Sequence, residues 1–208
     1  MERKVGFPSR CGDLEGLYHT GVSDKGVVIT HPHPQYGGDM QSPVVEAIAA
    51  AYHKLGFTTL RFNFRGAGNS IGHYDQGIGE RDDVRDAVSF LCGRGFKTIH
   101  LSGYSFGAWV NAMALQGGLV VQGMTMVAPP VALIDFEEGI RLPNLSGVVA
   151  GSRDEIAPPA LIRPLMGQWN SDARIDIIDG ANHVFFGFLD EVTRRLVQCL
   201  TCRLTGPA

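Results

Sequence analysis

The sequence has no long apolar run. Its first eight residues mix charged and apolar side chains without the apolar core of a signal peptide. No later stretch approaches the roughly 18 consecutive apolar residues that a membrane-spanning helix requires. We therefore expect a cytoplasmic protein that does not have a membrane as its partner.

The net charge is small, and cysteines are few. A formal net charge of −3 gives no electrostatic reason to expect nucleic acid as a partner. Four cysteines in 208 residues do not make a disulfide framework, and we expect reduced thiols. Cys199 and Cys202 have the spacing of a redox or zinc site, but no second pair of cysteines or histidines accompanies them. We assign no metal and no cofactor.

Short β-branched or apolar runs alternate with longer helical patterns along the chain. This alternation predicts an α/β fold, a mostly parallel sheet with helices on both faces. An antiparallel hairpin at the sheet edge is expected from Lys4–Pro8 and Leu14–His19, and nothing divides residues 1–208 into more than one domain. The further predicted strands are Gly26–Thr30, Thr58–Asn63, Thr98–Leu101, Gly123–Val127, Gly147–Ala150 and Arg174–Ile178. The predicted helices are Pro43–Leu55, Glu80–Cys92, Phe106–Leu115 and Asp190–Leu200.

One short motif points to nucleophilic chemistry. Gly103–Gly107 has the form G-x-S-x-G, with Ser105 at its centre. A predicted strand precedes the motif and a predicted helix follows it, and this strand-turn-helix setting is the one in which a strained turn exposes a nucleophilic serine. The start of the helix also favours developing negative charge beside the serine. We predict that Ser105 is a nucleophile.

A serine nucleophile needs a base and an acid that orients the base. Asp154 follows one predicted strand and His183 follows the next, so both lie at the edge where sites assemble in open α/β sheets. Glu155 adjoins Asp154 and is an alternative acid, whereas Asp176 and Asp179 belong to the strand-loop unit of the histidine itself. We predict Asp154 as the acid and His183 as the base.

The segment His31–Gly38 follows another predicted strand, at the place where this kind of site takes its second oxyanion donor. Its prolines lack an N–H, which leaves His33, Gln35, Tyr36 and the glycines. We predict the backbone N–H groups of Phe106 and His33 as the oxyanion hole. The alternatives are a rigid loop that only shapes the pocket wall, or a metal site using the two histidines. The second is disfavoured because alternate residues of an extended segment point to opposite sides.

Glycines after another strand, in Asn63–Ser70, resemble a phosphate-binding turn. The segment lacks the third glycine of a dinucleotide-binding turn and the lysine of a P-loop. We interpret it as a tight structural loop beside the site.

Taken together, several segments resemble a family of small bacterial α/β-hydrolases, and the likeness covers nearly the whole chain. The resemblance to dienelactone hydrolases and small carboxylesterases implies an α/β-hydrolase fold without a cap domain, cofactor-free ester hydrolysis, and a catalytic triad carried by Ser105, Asp154 and His183. Dienelactone hydrolases use a cysteine nucleophile, where this sequence has serine. The segments that carry the resemblance are His31–Gly38, Phe62–Ser70, Gly103–Gly107, Gly151–Asp154 and Gly180–His183.

The expected reaction is hydrolysis of an ester or thioester of a small, soluble acyl substrate. The stretch between Val127 and Gly147 is too short for the helical lid of many lipases, so we expect an open pocket. A peptidase or an acyltransferase would use the same triad, and a non-catalytic binding protein could keep the fold. The sequence does not determine whether the protein is a monomer or a homodimer.

Overall fold

The computed structural model describes residues 1–137 and 139–204, with side chains as far as Thr201. The strands in chain order are β1 (Arg3–Ser9), β2 (Gly12–His19), β3 (Lys25–Thr30), β4 (Thr58–Phe62), β5 (Thr98–Tyr104), β6 (Gly123–Val127), β7 (Leu145–Gly151) and β8 (Arg174–Ile178). They form one eight-stranded sheet in the order β1-β2-β4-β3-β5-β6-β7-β8. The β1–β2 and β2–β4 pairs are antiparallel, and the pairs from β4 through β8 are parallel. The predicted α/β fold and its edge hairpin are confirmed.

The helices cover both faces of this sheet. They are α1 (Pro43–Lys54), α2 (Ile78–Cys92), α3 (Phe106–Gln116), α4 (Pro159–Trp169) and α5 (Leu189–Leu204). Helix α1 packs against α5, and α2 packs against α3. Every residue of β4, β6 and β7 is buried, as expected for strands covered on both faces.

Helix α4 was missing from the sequence-based prediction. It contains Pro164 inside the helix and Gly167 near its end, and both residues disfavour a helical assignment. The helix forms because Ile162, Met166 and Trp169 recur at helical spacing and bury one face. Tertiary burial therefore outweighs local propensity here.

Between β6 and β7, the described residues 128–137 and 139–144 form turns and contain no α-helix. The predicted absence of a helical lid between these strands holds for those residues. Among the described residues, no helix combines the length and apolar character needed to cross a membrane. Cys199 is buried, whereas the side chain of Cys202 lies outside the described part of the chain.

Candidate active site

Ser105 occupies a strained turn between β5 and α3. Its backbone has φ 53° and ψ −120°, a conformation that residues other than glycine rarely adopt. The Ser105 N–H donates to the carbonyl of Val127 at 2.9 Å, which ties the turn to the end of β6. The serine is thus held at the carboxyl edge of the sheet, directly before the first residue of a helix.

The two glycines of the motif are required by close backbone contacts. A Cβ on Gly103 would lie 2.6 Å from the amide nitrogen of Ala108. A Cβ on Gly107 would lie 2.6 Å from Thr30 Oγ1 and 2.7 Å from the carbonyl oxygen of His31. These distances are too short for any side chain, so the absence of a Cβ at Gly107 is what brings α3 against the end of β3.

Ser105, Asp154 and His183 form a continuous hydrogen-bonded chain. His183 Nδ1 lies 2.9 Å from Asp154 Oδ2, and His183 Nε2 lies 3.0 Å from Ser105 Oγ. A carboxylate accepts hydrogen bonds, so Nδ1 carries the ring proton and Nε2 accepts from the serine hydroxyl. The structure therefore brings together the three residues that the sequence analysis selected from three separate loops.

The carboxylate of Asp154 is held by its own loop. Its side chain is fully buried, and Oδ1 accepts from the N–H groups of Ile156 at 2.9 Å and Ala157 at 2.7 Å. These bonds fix the direction of the carboxylate and leave Oδ2 as the oxygen nearer to His183 Nδ1, at 2.9 Å against 3.1 Å for Oδ1. The loop can approach the segment before His183 because Gly151 has no Cβ. A Cβ there would lie only 2.3 Å from the carbonyl oxygen of Ala181.

The other acids considered from the sequence lie elsewhere. Glu155 is exposed. Asp176 faces Arg195 at 3.7 Å, and Asp179 accepts from the hydroxyl of Ser152 at 3.0 Å. Asp154 is thus the acid that the geometry pairs with His183.

The two predicted oxyanion donors lie on adjacent segments. Thr30 at the end of β3 pairs with Gly103 of β5, so the segment after β3 runs beside the serine turn. Phe106 begins α3, and its N–H has no acceptor within the helix. In the described chain the His33 N–H has no backbone acceptor either, whereas the Tyr36 N–H donates to the His33 carbonyl at 3.1 Å. The ring of His33 also contacts the ring of Phe106, with centroids 4.8 Å apart.

His31 is a structural residue that secures the start of the same loop. Its ring is fully buried, Nδ1 lies 2.6 Å from the carbonyl oxygen of Pro32, and Nε2 accepts from the Phe64 N–H at 3.0 Å. Burial lowers the pKa of His31 to about 4, partly offset by the bond to Pro32. His31 and His33 therefore have different neighbours, as expected for alternate residues of an extended segment.

The neutral state of His31 predicts a pH-dependent stability. Its pKa is lower in the folded protein than the ordinary 6.5, so the unfolded chain binds more protons and stability is lost as the pH falls from 6.5 towards 4. We expect the free energy of unfolding of the wild type to fall by about 3 kcal/mol more over this range than that of His31→Gln. Glutamine offers an oxygen to Phe64 and does not titrate. Urea unfolding at several pH values measures the difference, and parallel pH profiles would contradict it.

The structural loop predicted at Asn63–Ser70 lies beside the site, as expected. Arg65 pairs with the fully buried Asp83 of α2 at 2.7 Å, which fastens the loop to that helix. Asn63 accepts from the Met40 N–H at 2.7 Å and donates to Glu15 at 2.7 Å. These contacts connect the loop to β2 and to the chain leading into α1.

Two tyrosines of the site were not identified as site residues from the sequence. The hydroxyl of Tyr104 donates to the backbone carbonyl of His183 at 3.0 Å, and its ring lies 5.4 Å from the histidine ring. Burial raises the pKa of Tyr104, and the nearby charge of Asp154 adds to this effect. Tyr74 lies 3.0 Å from His33 Nε2 through its hydroxyl. The position of Tyr104 within the motif was a usable signal, whereas Tyr74 lies in a loop without a recognisable pattern.

The fold and this constellation define an alpha/beta hydrolase. Residues 27–206 match the model of the alpha/beta hydrolase family, and the chain belongs to that family.

Several relatives share nearly the whole chain. An uncharacterized protein of Rickettsia prowazekii (strain Madrid E) is 31% identical over 194 residues, covering 88% of this chain and 82% of the relative. An alpha-beta serine hydrolase homologue from Coxiella burnetii is 32% identical with a TM-score of 0.87, covering 95% of this chain and 97% of that structure. A Xanthomonas campestris serine hydrolase described as having no lid is 27% identical with a TM-score of 0.90, covering 100% and 97%. The resemblance to a small family without a cap domain is thereby confirmed.

Proposed function

We propose that the protein is a serine esterase that hydrolyses esters or thioesters of small acyl groups through an acyl-enzyme intermediate. The observation that carries the proposal is the chain of hydrogen bonds from Ser105 Oγ through His183 to Asp154, at 3.0 Å and 2.9 Å. This geometry suits a general base that removes the serine proton during attack on a carbonyl. The likeness to serine hydrolases from Coxiella burnetii and Xanthomonas campestris supports it.

In the proposed reaction, Ser105 Oγ attacks the ester carbonyl carbon while His183 Nε2 takes the hydroxyl proton. The carbonyl oxygen becomes an oxyanion, which the backbone N–H groups of Phe106 and His33 stabilise. Collapse of the intermediate breaks the bond to the alcohol, and His183 returns its proton to the leaving oxygen. A water molecule then attacks the acyl carbon while His183 takes one of its protons; the bond to Ser105 Oγ breaks, and the histidine returns the proton to Oγ as the acid leaves. Asp154 stabilises the imidazolium that forms in each half of the reaction.

The surroundings favour short acyl groups. Turns rather than a helix occupy the described residues between β6 and β7, so no helical cover lies there to bury a long acyl chain. Leu133, between β6 and β7, is 71% exposed, and Val184 and Phe186, which follow His183 along the chain, are 57% and 86% exposed. These side chains leave exposed apolar surface on the segment between β6 and β7 and on the loop of His183.

The experiment that tests the proposal is a series of p-nitrophenyl esters combined with fluorophosphonate labelling of the purified protein. We expect stoichiometric labelling, and a higher kcat/KM for acetate and butyrate esters than for dodecanoate. A matched p-nitroanilide measures amide cleavage, and added alcohol measures acyl transfer. Faster cleavage of the amide would favour a peptidase, and transfer exceeding hydrolysis would favour an acyltransferase. Absence of both labelling and turnover would leave a non-catalytic binding protein.

The expected partner remains a small-molecule ester, and a cytoplasmic location remains a prediction from the sequence.

A further inference from the structure

The side chain of His33 lies at the centre of an aromatic cluster beside the proposed oxyanion hole. Its ring centroid is 4.8 Å from Phe106, 4.8 Å from Tyr74 and 4.9 Å from Tyr36. Phe106 supplies one proposed donor and His33 the other, so the ring contact connects the two residues whose N–H groups would bind the oxyanion. A contact that fixes the ring of His33 therefore also affects the positions of the two proposed oxyanion donors.

Two hydrogen bonds determine which nitrogen of His33 carries the proton. The Gln35 N–H donates to Nδ1 at 3.3 Å, so Nδ1 must keep its lone pair. In the neutral ring the proton is then on Nε2, which lies 3.0 Å from the Tyr74 hydroxyl oxygen and donates to it. Burial lowers the pKa of His33, which favours this neutral form.

The backbone of His33 depends on the same arrangement. With Nδ1 accepting from Gln35, the side chain caps the short 3-10 helix Pro34–Tyr36. The His33 carbonyl meanwhile accepts the N–H groups of Tyr36 and Gly38, each at 3.1 Å. These bonds use the carbonyl oxygen and Nδ1 of His33 within its own loop, and they leave its N–H without a backbone partner among the described residues.

Tyr74 is itself firmly held. The fully buried carboxylate of Glu80 in α2 accepts from the Asp75 N–H at 2.9 Å and from the Gly77 N–H at 2.7 Å. Gly77 is packed so closely on α3 that a Cβ would lie 2.1 Å from the Trp109 ring. The backbone beside Tyr74 is thus anchored to both α2 and α3.

We propose that Tyr74 is a positioning residue for the oxyanion hole: its hydroxyl oxygen accepts a hydrogen bond from His33 Nε2–H and so holds the ring in the orientation that caps the loop and aims the His33 backbone N–H at the reacting carbonyl. This inference rests on the proposed esterase function. It assigns a role to the segment between β4 and α2, which supplies no member of the triad.

The kinetic test compares Tyr74→Phe with Tyr36→Phe, using a p-nitrophenyl ester. Both variants lose a hydroxyl group next to the same histidine, but of the two hydroxyls only that of Tyr74 is hydrogen-bonded to the His33 ring. Because the oxyanion forms only on the way to the transition state, we expect Tyr74→Phe to lower kcat by about 10-fold with KM within about twofold. Tyr36→Phe should keep both constants within about twofold of wild type. Equal kcat in wild type and Tyr74→Phe, or an equal loss in Tyr36→Phe, overturns the proposal.

A spectroscopic test observes the tautomer of His33 directly, in the wild type as well as in the variant. Nitrogen NMR of the wild type with 15N-labelled histidine, assigned with His33→Asn, should show His33 neutral with its proton on Nε2. In Tyr74→Phe the His33 signals should shift towards the other tautomer while those of His183 stay in place. A wild-type His33 protonated on Nδ1, or unchanged His33 signals in the variant, overturns the proposal.

Different results would overturn the esterase function and the role of Tyr74. Wild-type protein that neither hydrolyses esters nor reacts with a fluorophosphonate overturns the esterase function and this inference together. Active wild type with a fully active Tyr74→Phe overturns only the role of Tyr74.

Discussion

Replacing Ser105 with alanine should lower kcat for a p-nitrophenyl ester by about 10⁴- to 10⁶-fold and abolish fluorophosphonate labelling. The variant loses the oxygen that His183 Nε2 contacts at 3.0 Å, so no acyl-enzyme can form. A backbone with positive φ is unfavourable for serine and alanine alike, so the substitution adds little strain. We therefore expect the fold to persist with little change in stability. Steady-state kinetics and intact-protein mass after labelling measure the effect.

Ser102 provides the matched control, because it is a second serine only three residues before Ser105, on β5. It is completely buried, and its hydroxyl lies 2.7 Å from Thr125 Oγ1, away from the triad. Ser102→Ala should retain labelling and turnover, with a loss of roughly 1 kcal/mol in stability from the broken hydrogen bond. Labelling that survives in Ser105→Ala would show that the nucleophile lies elsewhere.

The second large effect concerns Asp154→Asn, for which we expect kcat to fall by about 10³- to 10⁴-fold. Asparagine keeps an oxygen that can accept from Ile156 and Ala157, so the loop should stay in place. Its amide N–H₂ would face His183 Nδ1, which then has to accept, leaving the proton on Nε2. A protonated Nε2 points at Ser105 and cannot remove its proton. Kinetics together with a melting curve separate this loss from unfolding.

Glu155→Gln is the control for Asp154→Asn, because it neutralises the adjacent carboxylate. Glu155 is exposed and takes no part in the hydrogen-bonded chain to the serine. Its kcat should remain within about twofold of wild type. If Asp154→Asn kept full activity while Asp179→Asn lost it, the orienting acid would have been assigned to the wrong loop.

The site was largely predictable because local sequence patterns mark each of its residues. Ser105 is marked by glycines that a strained turn requires, and Asp154 and His183 follow buried strands of recognisable pattern. Parallel strands align their carboxyl ends at one edge of the sheet, so a prediction of strand positions also predicts that these loops meet. The structure adds the distances, and with them the choice of Asp154 over Glu155.

The contributions of Tyr74, Glu80 and α4 could not be predicted in the same way. The bond between Tyr74 and His33 joins residues 41 positions apart, and nothing in either segment specifies the pairing. Glu80 looks like an ordinary acidic residue in the first turn of a helix, yet it is fully buried. Helix α4 carries an internal proline, and only its packing against the sheet explains it. Each depends on contacts between distant segments.

The close backbone contacts at Gly107 and Gly151 have an evolutionary consequence. Because main-chain atoms set the spacing between the serine, acid and donor loops, the reacting groups keep their places when nearby side chains vary. Leu133, Val184 and Phe186 are exposed, so their side chains can change without disturbing these backbone contacts. Substitutions at these exposed positions can therefore accumulate one at a time while the hydrogen-bonded chain from Ser105 to Asp154 keeps its geometry.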